Sequence, residues 1–403
     1  MNNMKILLSP CHYIYDELRC GSEYSWAYNI ADRIASKYAN SVIITGFKNI
    51  KKKKPYKIIE VQNRKKKPDM NFFNAILFNI KYSLETEKQL KINNFDILHH
   101  VLPFSINSTF NPSIIFRKQG IPSIIGPVQS PLNFLDTDLK PYGGLSGFIN
   151  VILKPLKPLL SLLAKKTLQK ANRVIAINEY TKTLLIRKGV DENRIDIIPP
   201  GIDTLKYKNI PFDKKRSDVI ELLVVCNLVK RKAVDLTIKA INEVIKEKNN
   251  VILRIVGNGP QKKCLEALVK ELELESYVVF EGLIKNSLIH KYYTKSHIFI
   301  NMSRTEGFAT VCLEAMASGL AIISSKVGGF SDAITDGKDG FLVDQEDYQC
   351  LSKKIIELIR NPDLIIKFGG EARKKAELKY DWDISIIPKY LDVYNKALAN
   401  KYE

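Results

Sequence analysis

At 403 residues the chain is longer than one hydrophobic core usually supports, so two α/β domains are expected. Hydrophobic residues make up 45% and charged residues 26%, a balance that excludes long disordered or fibrous stretches. The net charge of +19 at pH 7 predicts attraction to phosphates, nucleic acids or anionic lipid without choosing among them, and runs such as Lys51–Lys54 and Lys65–Lys67 account for part of it as solvated surface.

Before Ser9-Pro10 the apolar run is only Ile6, Leu7 and Leu8, too short for the apolar core of a signal peptide, so a cytoplasmic location is expected. Short β-branched runs then alternate with helical-period segments, the pattern of parallel strands joined by crossover helices. Strands are predicted near Lys5 to Leu8, Val42 to Thr45, Ile97 to His100, Ser123 to Gly126, Val174 to Ile177 and Ile195 to Ile198. The apolar region Leu145 to Leu163 is broken by Asn150, Lys154, Pro155, Lys157 and Pro158, so it cannot span a bilayer as one helix. With its lysines, the stretch from Leu145 to Lys166 reads equally well as a surface resting on anionic lipid or as a buried helix pair.

After Pro199-Pro200-Gly201 the pattern restarts, with strands near Leu222 to Val225, Ile252 to Val256, Val278 to Phe280, Ile298 to Ile300 and Ala321 to Ser324. Pro199 to Lys215 is therefore the expected hinge, dividing domain 1–203 from domain 204–383, with a closing helix in 384–403 packing back on the first. The predicted fold is two Rossmann-like, doubly wound domains facing across a cleft, where ligands bind at the carboxyl ends of the strands. The six cysteines are scattered, with no Cys-x-x-Cys pair and no His/Cys cluster at metal spacing, and read as reduced thiols.

The most specific stretch runs from Ser303 to Gly319, following a buried strand and opening a helix near Ala309 or Thr310. The amides of Gly307, Phe308, Ala309, Thr310 and Val311 would bring free N–H groups and a positive dipole end to an anion. Glu306 and Glu314 flank that helix start, eight residues apart. A nucleotide diphosphate sugar carries hydroxyl-bearing rings on both sides of two phosphates, so Glu314 is assigned to the ribose and Glu306 to the transferred sugar.

These residues resemble the E-x7-E motif of the family 4 glycosyltransferases, also described as glycosyl transferases group 1, which have the GT-B fold. The resemblance continues through Ile198-Pro-Pro-Gly-Ile-Asp203, Val256-Gly-Asn-Gly-Pro260, Val327-Gly-Gly329 and Asp336-Gly-Lys-Asp-Gly-Phe-Leu-Val343. It implies that an arginine and a lysine after the first strand of the second domain hold the diphosphate. Lys232 matches the lysine, whereas the arginine position is Asn227, so Arg231 is expected to supply the missing charge. The same resemblance implies a nucleotide contact at Gly259, an approach to the donor phosphate at Gly21, and a sugar-contacting histidine whose position is Val101 here. His100 stands next to it, and a packing role fits that residue as well as a catalytic one.

The resemblance implies a metal-independent, retaining transfer of a hexosyl group from a UDP- or GDP-sugar to a glycan or lipid-linked acceptor in polysaccharide or glycoconjugate assembly. No cofactor beyond the donor substrate is expected, nor a nucleic-acid partner, while peripheral contact with an anionic membrane is. Two alternatives remain open at this stage: a nucleotide sugar epimerase or phosphorylase on the same fold, and a basic nucleic-acid-binding protein. The second lacks a base-stacking aromatic motif or a recognition helix.

Overall fold

β-Branched runs too short for helices pair into two parallel sheets, each covered by the amphipathic helices that connect its strands. The computed structural model describes residues 4–15, 22–50, 53–61, 72–101, 111–115, 120–129, 157–207, 219–308 and 310–399. The chain divides into two compact units, with the change from the first to the second between Pro200 and Gly201 and a return to the first at Ile386.

In the first unit β1 (Ile6–Tyr15), α1 (Ser22–Lys37), β2 (Val42–Asn49), β3 (Lys57–Glu60), α2 (Phe72–Ile92) and β4 (Ile97–His100) follow in order. Then come the single turn α3 (Pro112–Ile115), β5 (Ser123–Val128), α4 (Lys157–Lys170), β6 (Arg173–Ala176), α5 (Glu179–Arg187) and β7 (Ile195–Ile197). The strands lie in the order β3-β2-β1-β4-β5-β6-β7, so the winding reverses between β1 and β4. Leu7, Ile44, Leu98, Ile125, Val174 and Leu168 meet in its core. β1 runs well past the predicted Leu8, and its register slips between Leu8 and Cys11, a bulge that accommodates Pro10 without its N–H. β3 was not anticipated: it is an edge strand of lysine, two isoleucines and glutamate, none of them fully buried, so it lacks the apolar run that marks the inner strands.

The second unit begins its sheet at β8 (Ile220–Val225), followed by α6 (Val234–Ile245), β9 (Val251–Val256), α7 (Lys262–Glu271), β10 (Val278–Gly282), α8 (His290–Lys295) and β11 (Ile298–Asn301). It continues with α9 (Thr310–Ala317), β12 (Ala321–Ser325), α10 (Gly329–Ala333), β13 (Phe341–Val343), α11 (Tyr348–Arg360) and α12 (Pro362–Lys375). The order β10-β9-β8-β11-β12-β13 reverses between β8 and β11, which makes the carboxyl ends of those two strands the switch point of this sheet. Leu222, Val224, Leu253, Ile255, Ile300 and Ile323 face Ile238, Ile241, Leu351 and Ile355 in one core. β13, a further unanticipated edge strand, is only three residues long.

α13 (Ile387–Ala399) belongs to the first unit. There Tyr394 Oη lies 2.6 Å from His99 Nδ1, and His99 Nε2 lies 3.0 Å from the Gly126 carbonyl. A carbonyl can only accept, so Nε2 carries the proton and Nδ1 accepts from the tyrosine. Burial lowers the His99 pKa to about 3, leaving a neutral ring locked between β4, β5 and α13.

Among the described residues no helix is long and apolar enough to cross a membrane. Of the lysine-rich apolar stretch, residues 145–156 lie outside the described residues. The remainder forms the start of α4, where Leu159 and Leu162 are exposed beside exposed Lys165 and Lys166.

Candidate functional site

Two loops leave the strands that flank the switch point of the second unit. The loop after β8 holds Asn227, which is exposed and whose carbonyl accepts from the Val229 N–H at 2.9 Å. The Val229 carbonyl in turn accepts from Lys232 N at 2.9 Å, winding Lys230–Lys232 into one 3-10 turn before α6. Leu228 N–H donates to the Asn258 carbonyl at 3.0 Å, and Gln261 N–H to the Leu228 carbonyl at 2.9 Å, fastening the loop to the Gly257-Asn-Gly259 turn. A Cβ at Gly259 would stand 2.4 Å from the Leu228 carbonyl oxygen, so only glycine permits this approach. Gly259 thus supports the loop that carries Lys232.

The loop after β11 is shaped by Asn301, whose Oδ1 accepts from Ser303 N at 3.0 Å and Ser303 Oγ at 2.6 Å. Arg304 then joins it to the basic turn. Its N–H donates to the Arg231 carbonyl at 2.7 Å, and its guanidinium to the Lys230 carbonyl at 2.6 Å and to both Glu346 carboxylate oxygens.

The joined loops bring three of the sequence-predicted side chains together. Lys232 Nζ donates to Glu306 Oε2, and Arg231 approaches the same oxygen at 3.7 Å while donating to the Thr305 carbonyl. The side chains of Lys232 and Glu306 are each 10% exposed and that of Arg231 14%, so two cations share one carboxylate in a mostly enclosed setting. Such a group of charges is net positive and has its strength raised by exclusion of water. Burial pushes the thiol of Cys226, at the foot of the same loop, up to about 11, against the opposing pull of Lys232, and so keeps it protonated at neutral pH.

Gly328 lies beneath the Glu306 backbone. Its φ is +45°, and a Cβ there would stand 1.8 Å from the Glu306 carbonyl oxygen. The next residue, Gly329, donates its N–H to the Gly307 carbonyl at 2.9 Å and could not carry a Cβ without meeting Phe308. The Val327-Gly-Gly329 segment therefore moulds the loop that presents Glu306 and Gly307.

α9 begins at Thr310, where the sequence placed a helix start, and its first-turn amides lack intrahelical acceptors by geometry. Phe308 is buried against Tyr380, ring centres 6.1 Å apart, so it can face an anion only through its backbone. Thr310 and Val311 are half-buried. Four residues beyond the helix start, Glu314 Oε2 accepts from Tyr293 Oη at 2.7 Å, and the Tyr207 hydroxyl also hydrogen-bonds this carboxylate. Burial raises the Glu314 pKa, and the two phenol hydrogen bonds pull it back. Both phenols are pushed well above their ordinary value, first by burial and then by the Glu314 charge, so they stay protonated donors. Arg373 pins this region from behind: it donates to the carbonyls of Thr204 (3.1 Å), Tyr207 (2.7 Å) and Ala317, the last residue of α9.

Sequence reasoning did not single out Tyr207, Tyr293, Arg304 or Arg373. Tyr207 falls in the segment read as a hinge, and Tyr293 lies 21 residues before its partner, beyond the range of any local pattern. Gly21 and Ala309 lie outside the described residues. His100 ends β4 in the first unit, fully buried, with Nδ1 accepting from Asn111 Nδ2 at 3.0 Å.

Comparison with known proteins gives a family for both halves. Residues 25–206 match the description Glycosyltransferase Family 4, and residues 207–375 match Glycosyl transferases group 1. The chain is 27% identical to a phosphatidylinositol N-acetylglucosaminyltransferase of Arabidopsis thaliana, over 56% of this chain and 50% of that protein. It is 26% identical to alpha-monoglucosyldiacylglycerol synthase of Acholeplasma laidlawii, over 82% of this chain and 79% of that protein. The chain thus spans half the length of the first of these relatives. Among solved structures, sucrose-phosphate synthase of Thermosynechococcus elongatus superposes with a TM-score of 0.73 at 18% identity, covering 99% of this chain and 100% of that one. With two doubly wound parallel sheets, matches across both halves and the Glu306/Glu314 pair at the start of α9, the chain belongs to the family 4 glycosyltransferases of GT-B fold.

Proposed function

We propose that this chain transfers a hexosyl group, with retention of configuration, from a UDP- or GDP-sugar to a glycan or lipid-linked acceptor. The observation that carries the reading is the convergence on one short stretch of a helix start, a carboxylate at each side of it, and two cations on the nearer carboxylate. Donor phosphates would take the α9 amides together with Lys232 and Arg231, the sugar hydroxyls Glu306, and the ribose hydroxyls Glu314.

In this mechanism the bond from the anomeric carbon to the diphosphate oxygen breaks as the acceptor oxygen bonds to the same carbon on the same face. The acceptor proton passes to the departing diphosphate. Lys232 and Arg231 stabilise the charge developing on that leaving group, the task a divalent cation performs in other transferases, so the proposed reaction proceeds without metal. Arg231 takes the place of the arginine that Asn227 replaces: its guanidinium reaches Glu306 from the same turn as Lys232. His100 is retained as a proposed contact of the transferred sugar, and Gly21 as a proposed contact of the donor phosphate. An unchanged turnover in His100→Ala would remove that histidine from the site.

The acceptor class draws support from the two relatives, whose names refer to phosphatidylinositol and diacylglycerol, and from exposed leucines beside lysines on α4. We place the enzyme in the cytoplasm, peripheral at an anionic membrane face. Thermal-shift and calorimetric screening against UDP, GDP and their sugars, with and without chelator, tests the reading. A nucleotide that stabilises the wild type but not Glu314→Ala supports it, whereas no response to any nucleotide overturns it.

A further inference from the structure

Glu314 is held more firmly than a hydroxyl acceptor on an open helix face would be. Tyr293 is fully buried and packs edge-to-face on Tyr207 with ring centres 5.8 Å apart, and its other flank leans on Phe299 at 6.2 Å. Tyr207 is 3% exposed, and its carbonyl is gripped by Arg373. Both phenols therefore sit in fixed frames, each aimed at one carboxylate. An ionised carboxylate offers about four acceptor directions, and the two tyrosines occupy two of them. Glu314 is half-buried rather than sealed, and two acceptor directions remain beyond those the tyrosines take.

We infer that Tyr207 and Tyr293 are positioning residues that make Glu314 an acceptor for two neighbouring hydroxyls at once, so that the site selects a ribonucleotide over its 2′-deoxy counterpart. The inference rests on the assignment of Glu314 to the ribose made above. A ribose would donate its 2′- and 3′-hydroxyls to the two remaining directions. A 2′-deoxyribose donates one, and leaves a fixed, largely desolvated carboxylate short of a partner. Without a phenol to hold it, the carboxylate can turn and rehydrate, and the missing hydroxyl then costs less. The tyrosines thus set a ratio of affinities rather than affinity alone.

Calorimetric titration of the full chain with UDP, GDP, 2′-deoxy-UDP and 2′-deoxy-GDP tests this in wild type, Tyr293→Phe, Tyr207→Phe and, as a buried control in the first unit, Tyr390→Phe. The wild type and Tyr390→Phe are expected to favour the ribonucleotide they bind by about tenfold or more, the loss of one hydrogen bond to a charged group. In Tyr293→Phe the preference is expected to shrink to about threefold or less, with Tyr207→Phe moving the same way. A preference unchanged in both phenylalanine variants, even with weaker binding overall, reduces the tyrosines to packing and overturns the inference while leaving the proposed function intact. Equal wild-type binding of both sugar forms overturns it as well. Absence of binding by any of the four nucleotides removes the proposed function, and this inference with it.

Discussion

Lys232 and Glu306, contributed by the loops after β8 and β11, form an enclosed ion pair that Arg231 flanks from 3.7 Å. Their proposed tasks differ, and so should the effects of removing them. Glu306→Gln, which keeps the shape but not the charge that orders the sugar hydroxyls, is expected to lower kcat by about a hundredfold while nucleotide diphosphate affinity stays within a few-fold. Lys232→Ala should weaken that affinity by about tenfold or more, since it removes a charge-assisted contact to phosphate. The double variant should fall short of the sum of the two, because the side chains are in direct contact and their effects are coupled. Initial rates and calorimetry on the three variants check all three expectations, and equal losses of affinity in both single variants would contradict the division of labour.

Gly328 offers a test of the site that touches no charged group. Because its φ is +45° and a Cβ would overlap the Glu306 carbonyl, Gly328→Ala must displace the loop bearing Glu306. Strain of this kind costs about 1–3 kcal/mol. The expected outcome is a modest fall in melting temperature with a loss of transfer of about a hundredfold, as for misplaced catalytic groups. Gly370→Ala is the companion control, since nothing lies within 4 Å of its Cβ position, and it should leave both quantities near wild type.

How much of this arrangement was legible beforehand follows from where the signals reside. Glu306, Gly307 and Glu314 lie in one continuous run, so helix periodicity and a turn glycine were enough to place them at a helix start. Lys232 was legible through the family resemblance, which implies a lysine in the loop after the first strand of the second domain. Tyr207 and Tyr293 were not, because what draws them to the candidate site is their contact with Glu314, reached only through tertiary packing. The inner strands were read from apolar continuity. β3 and β13 escaped because edge strands are short or half exposed and need no such continuity.

His99 makes stability pH-dependent. Its folded pKa of about 3 lies below the ordinary histidine value of 6.5, so the unfolded chain takes up a proton between those values that the folded chain refuses. Its contribution is complete above about pH 6.5 and is lost progressively as pH falls toward 3, at up to about 1.4 kcal/mol per pH unit. Urea unfolding at pH 7, 6 and 5 should show this slope, and His99→Gln, though less stable at pH 7, should lose up to about one proton's worth of it. An identical slope in the variant would contradict the assignment.

The exposed leucines and lysines of α4 should tie lipid binding to salt. Flotation with vesicles containing anionic lipid is expected at low ionic strength and should weaken strongly by about 0.5 M salt, whereas neutral vesicles should recover little protein. Replacing Lys165 and Lys166 with glutamate should abolish flotation and leave donor hydrolysis in detergent unchanged. Binding that ignores both salt and this replacement would place any lipid contact elsewhere.

The planar cation of Arg373 has a wider implication for how this sequence can drift. Its guanidinium ties the backbone of Tyr207 to the final carbonyl of α9, so the anchor of Glu314 and the helix bearing Glu314 shift as one body. A lysine would preserve charge but not the two separate nitrogens by which the guanidinium holds these carbonyls through Nη1 and Glu377 through Nε. Position 373 is therefore expected to alter the proposed nucleotide site from a distance, and a search for altered donor preference confined to the proposed phosphate-binding residues would never sample it.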